Sequence, residues 1–358
     1  MKKIALFILL SAVHFSACRT PELGEDTPLS LTEEGYLENG VFITNEGQFQ
    51  VSSGTVSYYN KASGAVAYKL FRQKNNRDLG NVVQSMTLVD SFAYIVVNNA
   101  NRVEKVNAKD FRELAQIQGL EQPRYFLPIS NQEAYISQWG LDGLTASLAI
   151  LDLSTNQITG TISTAKGAEQ LTLASDGRVY LSCVGGYSQE NKVQVFNTST
   201  HYLDREYTVL YAPNSLVEDK NGMIWVACRG HLPYSTTGIQ DTLAGGLIKI
   251  DPSSNTASII LELEKGKGAQ HLCTNRDKNQ LYFTSDGGIW TCNLNGTELN
   301  RIVVGSFYGL GIDPYTDLLY AAVYEGLSNA RVNRYELAGT FKDSFTAGVF
   351  ANGFVFAN

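Results

Sequence analysis

Side chains able to do acid–base, nucleophilic or metal chemistry are few in this chain. It has four histidines, and His14 sits in an apolar leader, so a histidine-dependent reaction would have to use His201, His231 or His271. None of the five cysteines forms a CxxC or a Cys/His pattern with metal-ligand spacing. GxxxxGK[ST], HExxH, GxSxG and Asp-rich calcium loops are also missing from the sequence. The formal charge is −7 and there is no basic cluster, which argues against nucleic acid, where phosphate contacts dominate affinity. Short loops instead gather Asn, Gln, Tyr and Trp beside glycine, a composition suited to non-covalent recognition. Amides bond polar groups and rigid aromatics supply contact area. The residues therefore predict no catalytic group, no metal and no cofactor.

The elements that must position those loops show as a repeat. "GRVYLSCVGG" from Gly177 and "GMIWVACRG" from Gly222 share a turn glycine, an aromatic within an apolar run, and a cysteine. The aromatic recurs as Phe42, Tyr94, Tyr135, Tyr180, Trp225, Tyr282 and Tyr320. A second phrase follows each copy and ends on a polar residue: Asn60, Asn107, Asp152, Asn197, Asp251, Asn293 and Glu336, at intervals of 42 to 54 residues. Each repeat divides into four short β-branched and aromatic stretches separated by turn residues, as in "SDG" and "NTST". A four-stranded sheet cannot bury both faces alone, so the repeats predict an all-β fold, a seven-bladed β-propeller of four-stranded antiparallel blades. No repeat has a useful helical apolar period. With 44% apolar and 18% charged residues, the chain has the apolar content for a single large core. The first repeat lacks an opening strand and the chain ends in a spare one, "AGVFANGFVFAN". Gly348 to Phe356 is therefore expected to supply the innermost strand of blade 1 and close the ring. The seven repeat aromatics are expected in the core.

In a propeller, the loop before each innermost strand and the loop joining the second and third strands open on the same face. That rim gathers the candidate ligand residues. Asn45, Asn98, Gln170, Asn214 and Gln270, with Asn101, offer amides. Tyr125, Trp139, Tyr187, Tyr234, Tyr308 and Tyr324 offer aromatic area, and Arg124, Arg229 and His231 offer charge or a hydrogen bond.

"MKK" followed by "IALFILLSAV" has the positive and apolar regions of a secretory signal, too short to span a bilayer. The next residues, "FSAC", resemble the lipobox of bacterial lipoproteins, so residues 1–17 are expected to be removed and Cys18 acylated. Residues 18–37 then form a polar tether to a propeller over residues 38–358, lipid-anchored at the outer membrane, facing the cell surface or the periplasm. Losing Lys2 and Lys3 shifts the formal charge from −7 to −9. Cys183 and Cys228 fall in equivalent strands of adjacent blades, and Cys273 and Cys292 two strands apart in one blade. Both separations are about 10 Å, so four reduced, buried thiols are expected.

The stretches "NEGQF", "GTVSYYN", "LGNVVQSMTLVDSFAYIVVNNANRVEKVNAKDF", "QPRYF", "DKNGMIWVACRG" and "YGLGIDPYTDLLYAA" resemble the YncE-like seven-bladed propeller lipoproteins grouped as DUF5074. The resemblance covers residues 38 to 358. Some such proteins, the BtuG-type lipoproteins, capture cobalamin over a TonB-dependent outer-membrane transporter. The resemblance thus implies a small-molecule ligand, cobalamin foremost, and that transporter as partner, although fold alone does not assign function. A glycan ligand or a protein-contact role in a surface layer are the alternatives. A third is a lyase resembling the virginiamycin-B-lyase propellers, with a metal and His231 or His271 beside Glu169 or Glu325.

Overall fold

Turn chemistry and β-branched strands dictate hairpins, and the hairpins stack. In the computed structural model, which describes residues 35–230 and 242–357, seven antiparallel sheets of four strands each form a ring. Cys18 with the expected leader, and His231 and Tyr234, lie outside the described residues. Innermost strands are Ala351–Phe356, Val83–Val89, Pro123–Pro128, Ala168–Leu173, Pro213–Glu218, Gln270–Thr274 and Phe307–Ile312, for blades 1 to 7. Second strands such as Arg178–Cys183 are buried along nearly their whole length, whereas the outer strand Gln157–Ser163 alternates between exposed and half-buried. The second strand is thus enclosed between neighbouring sheets, and the outer one has a single protein face.

The core consists of seven apolar clusters, one at each junction between adjacent blades. Each repeat aromatic lies in one of them, and none of Phe42, Tyr94, Tyr135, Tyr180, Trp225, Tyr282 and Tyr320 is more than 4% exposed. Several of the polar rings meet a partner. Tyr180 Oη donates to Asp176 Oδ2 at 3.0 Å, Trp225 Nε1 to Asp219 Oδ2 at 2.8 Å, and Tyr135 Oη lies 2.8 Å from His201 Nδ1.

The C-terminal strand closes the ring, pairing from Val41↔Phe356 to Asn45↔Ala351. It is shorter than the expected 348–356. Phe341–Val349 is the nine-residue outer strand of blade 7, and Phe350, at φ 52°, makes the turn between the two. Two links lock the joint. Gly348 N–H donates to Asn45 Oδ1 at 2.9 Å, and Lys61 Nζ reaches both Asp313 Oδ2 at 3.2 Å and Ala357 O at 2.9 Å.

Three further differences from expectation have local causes. The packed chain begins by Gly35, because Tyr36 is buried against Tyr58 and Phe111, so residues 35–37 belong to the propeller rather than to a tether. Blade 1 has a two-residue outer strand, Val66–Ala67, followed by a short helix, Leu70–Asn75, whose Leu70 and Phe71 cover the apolar edge left open. All four described cysteines are free as expected, but Cys273 is half-buried rather than buried.

Two expected outcomes follow. A chain ending at Phe350 loses the six-residue inner strand of blade 1 together with Phe354 and Phe356, and should lose its cooperative thermal transition. A melt retained within about 3 °C of the intact protein would contradict the closure. Burial pushes the Cys292 thiol up to about 11 and those of Cys183, Cys228 and Cys273 further. Ellman's reagent should therefore label at most Cys18 at pH 8 in the native chain, and every thiol once it is unfolded.

Candidate functional site

One irregularity repeats in all seven blades. The first residue of each inner strand pairs in register with the second strand, and the register then slips: Val83↔Val97 is followed by Ser85↔Val96, Pro213↔Cys228 by Ser215↔Ala227, and Phe307↔Val323 by Gly309↔Ala322. The same slip occurs in the other four blades. Such a bulge adds one residue and re-aims its side chain. The residue just inside the slip is Asn352, Gln84, Arg124, Glu169, Asn214, His271 or Tyr308, for blades 1 to 7, and all seven line the central cavity of about 710 Å³. In five blades the residue before the inner strand is left-handed. These are Phe350, Val82, Gln122, Gly167 and Ala212, at φ of 52°, 61°, 50°, 68° and 52°. Their carbonyls accept the N–H of the residue that leaves the second strand, namely Glu46, Asn98, Trp139, Val184 and Arg229. The mouth therefore carries a ring of seven side chains set by backbone geometry, with Glu46, Trp139, Val184 and Arg229 lining the cavity beside it.

One side of the mouth is bonded to itself. Arg124 gives a bidentate pair to Glu169 at 2.9 and 2.8 Å, and Trp139 Nε1 donates to the same carboxylate at 2.9 Å. The guanidinium lies 4.2 Å from the Trp139 ring centroid, and Tyr187 meets that indole edge-on while donating to Gln122 Oε1 at 2.9 Å. Beside them Glu46 accepts from Tyr308 Oη at 2.8 Å and from Asn352 Nδ2 at 3.1 Å. Burial raises the Glu46 carboxyl, opposed by the Tyr308 hydrogen bond and the Arg124 charge. Burial, with Glu46 nearby, lifts the Tyr308 phenol far above its usual range. On the other side His271 Nδ1 lies 2.8 Å from Thr284 Oγ1, and burial followed by the Arg229 charge lowers its pKa to about 4. His271 is accordingly neutral at pH 7.

The candidate residues separate into groups. Arg124, Tyr125, Trp139, Gln170, Asn214, Arg229, Gln270 and Tyr308 line the cavity. Tyr187 and Tyr324 stand at its rim, 66% and 51% exposed, with Tyr324 beside Tyr308. Asn45 and Asn98 are buried scaffold residues away from the cavity. Asn45 bonds to Ile43, Thr55, Ser57 and Gly348, and Asn98 to Pro123 O. Asn101 is left-handed and accepts from Gln122 N–H. Gln170 and Asn214 line the cavity, but their amides hold backbone groups of the next blade, Leu216 N–H and Ala269 O. Sequence reasoning put the loops carrying Gln84, Glu46 and Asn352 on the rim without singling those residues out, weighed Glu169 as a lyase group, and weighed His271 both as a lyase group and as a ligand contact. Gln84, Glu169, His271 and Asn352 share one signal, a position one residue inside each opening strand, whereas Glu46 follows the second strand of blade 1. Glu325 pairs with Arg331 at 3.5 Å. Among the described residues, no three His, Cys, Asp or Glu side chains group as a metal site.

Solved structures share this architecture at low identity. A quinonprotein alcohol dehydrogenase-like protein from Bacteroides thetaiotaomicron is 11% identical with a TM-score of 0.66, covering 91% of this chain and 80% of that one. A candidate 6-phosphogluconolactonase from Bacteroides fragilis is 13% identical with a TM-score of 0.64, covering 89% and 98%. Hydrazine synthase from Kuenenia stuttgartiensis is 16% identical with a TM-score of 0.57, covering 69% and 74%. At such identities the likeness concerns the fold. No curated protein matches the sequence. The domain of unknown function DUF5074 matches residues 39–342, and the chain belongs to that family.

Proposed function

We propose that the protein is a non-enzymatic, lipid-anchored surface protein that binds a nutrient ligand across the channel mouth and passes it to a TonB-dependent outer-membrane transporter. A corrinoid, cobalamin foremost, is the proposed ligand. The observation that carries the binding role is the ring of seven side chains around a cavity of about 710 Å³ lined by both polar and apolar groups. A cavity of that size admits a side arm of a corrinoid rather than its whole disc. The disc would lie across the rim against Tyr187 and Tyr324, with Gln84 and Gln270 below.

Orientation supports capture from outside. The described chain starts at Gly35, where Tyr36 N–H bonds to Lys109 O in the turn between the third and fourth strands of blade 2. That turn lies on the face opposite the mouth, so the described chain enters the propeller from behind. The chemistry of the cavity also favours binding over turnover. Both Glu169 oxygens are held by Arg124 and Trp139, and His271 is held by Thr284. The exposed faces of Tyr187 and Tyr324 favour a glycan as second reading, since sugars stack on such rings.

Calorimetry of the mature protein with cyanocobalamin, and separately with host-type oligosaccharides, is the test. Saturable heat with cyanocobalamin at micromolar concentration is expected, and Tyr324→Ala should weaken it roughly fivefold or more, a cost of about 1 kcal/mol. Asn45→Ala should instead lower the melting temperature, at about 2 kcal/mol for the buried groups it orphans, and leave affinity unchanged. No heat from cyanocobalamin removes the corrinoid, and heat from a glycan in its place selects the second reading.

A further inference from the structure

We infer that the channel mouth contains an oxyanion subsite built on Arg229, at which the ligand presents a phosphate or carboxylate group. The inference rests on the reading of the mouth as a ligand site, but not on which ligand it takes.

Two arginines line the cavity and their circumstances differ. Arg124 has its fork filled by Glu169 and its face on Trp139, so an incoming anion would have to displace a buried carboxylate. Arg229 is exposed, and its guanidinium has no ion pair or hydrogen bond among the described residues. It is the first residue past the second strand of blade 5, and its N–H bonds to Ala212 O at 2.9 Å.

The backbone that presents Arg229 is built for close approach. A Cβ added at Gly268 would stand 2.0 Å from Arg229 O, and one added at Gly245 would stand 2.7 Å from Arg229 C. Both positions exclude any other residue, so glycines of blades 5 and 6 clasp the Arg229 main chain from two sides. A fixed main chain reduces the ordering cost when a long side chain engages a ligand.

The neighbours fit an anion. Gln270, which opens the inner strand of blade 6, also lines the cavity, and its side-chain amide has no partner among the described residues, leaving N–H donors available. His271, whose pKa is lowered first by burial and then by the Arg229 charge, lines the same cavity. Glu46 and Glu169, the carboxylates that line the cavity, are engaged around Arg124 and Tyr308. A guanidinium fork and an unbonded amide lining one cavity together match the chemistry of a phosphate or carboxylate.

The test uses the mature full-length protein with inorganic phosphate and with acetate, each against chloride at equal ionic strength, read as a saturable rise in melting temperature. Both anions should stabilise the protein. Arg229→Gln should weaken the phosphate response roughly tenfold or more, Arg229→Lys should retain part of it, and Arg331→Gln, at an exposed arginine outside the cavity, should not alter it. Melting of each variant in chloride alone checks that it folds. A phosphate response lost in Arg229→Gln, with no heat from cyanocobalamin, keeps the subsite and removes the corrinoid. Cyanocobalamin heat without any phosphate response, or a phosphate response that survives Arg229→Gln, overturns the subsite whatever the ligand.

Discussion

A four-stranded blade has two apolar faces and no means of covering either by itself, and the rest of this molecule depends on that constraint. Seven blades solve it only as a closed ring, because an open stack would leave two faces wet and the first blade a strand short. The joint is therefore stapled at several levels. Main-chain pairing of Ala351–Phe356 with Gly40–Asn45 supplies the ladder, Asn45 grips Gly348 across the seam, and Lys61 crosses the far end to a buried Asp313. An amide as thoroughly bonded as Asn45 has no capacity left for a ligand. That is why a residue with binding chemistry, at a loop edge, belongs to the scaffold.

The ring also explains why the mouth is made of bulges. Inner strands converge on the axis, and a regular ladder would point alternate side chains into the crowded inter-blade core and the narrow channel. Adding one residue at the entry of each inner strand frees a position that faces the opening, and the extra twist turns the strand towards the axis. The left-handed residues ahead of the bulges cost free energy wherever they are not glycine, and Val82, which is β-branched, costs most, roughly 1 kcal/mol or more. Strain repeated at the same place in blades 1, 2, 3 and 5 is held by the cooperative stack and concentrated at the face that carries the candidate site.

The parts of this arrangement that obey a period were legible in the sequence. An aromatic in every second strand and a polar residue closing every third strand gave blade number and closure, because core packing demands the same residue type at each repeat. What escaped is what departs from the period. The helix Leu70–Asn75 repairs a single short strand, Val66–Ala67, and nothing elsewhere in the chain predicts it. The mouth residues Gln84, Arg124, Glu169, Asn214, His271, Tyr308 and Asn352 share a backbone position and almost no chemistry, so a search by residue type picked amides and aromatics and passed over the register. Whether an amide is free or spent depends on a carbonyl of the next blade, as with Asn214 and Ala269, and spacing within one repeat does not show it.

The two arginines show how position turns one residue type into two physical objects. Arg124 sits on the inner strand itself, where its guanidinium would be costly without a counter-ion, and Glu169 on the adjacent inner strand provides one at the same height. The pair adds little net stability over apolar residues, but it fixes the Trp139 indole from two directions, through its face and its Nε1–H. Arg229 stands one step further out, just past the second strand of blade 5, exposed and with no ion pair among the described residues. Among the described residues, one side of the mouth is thus self-neutralised, and on the other Arg229 meets no carboxylate. For any group approaching the bonded side, matching the Arg124–Glu169–Trp139 arrangement would matter more than organising it, because those side chains already hold one another.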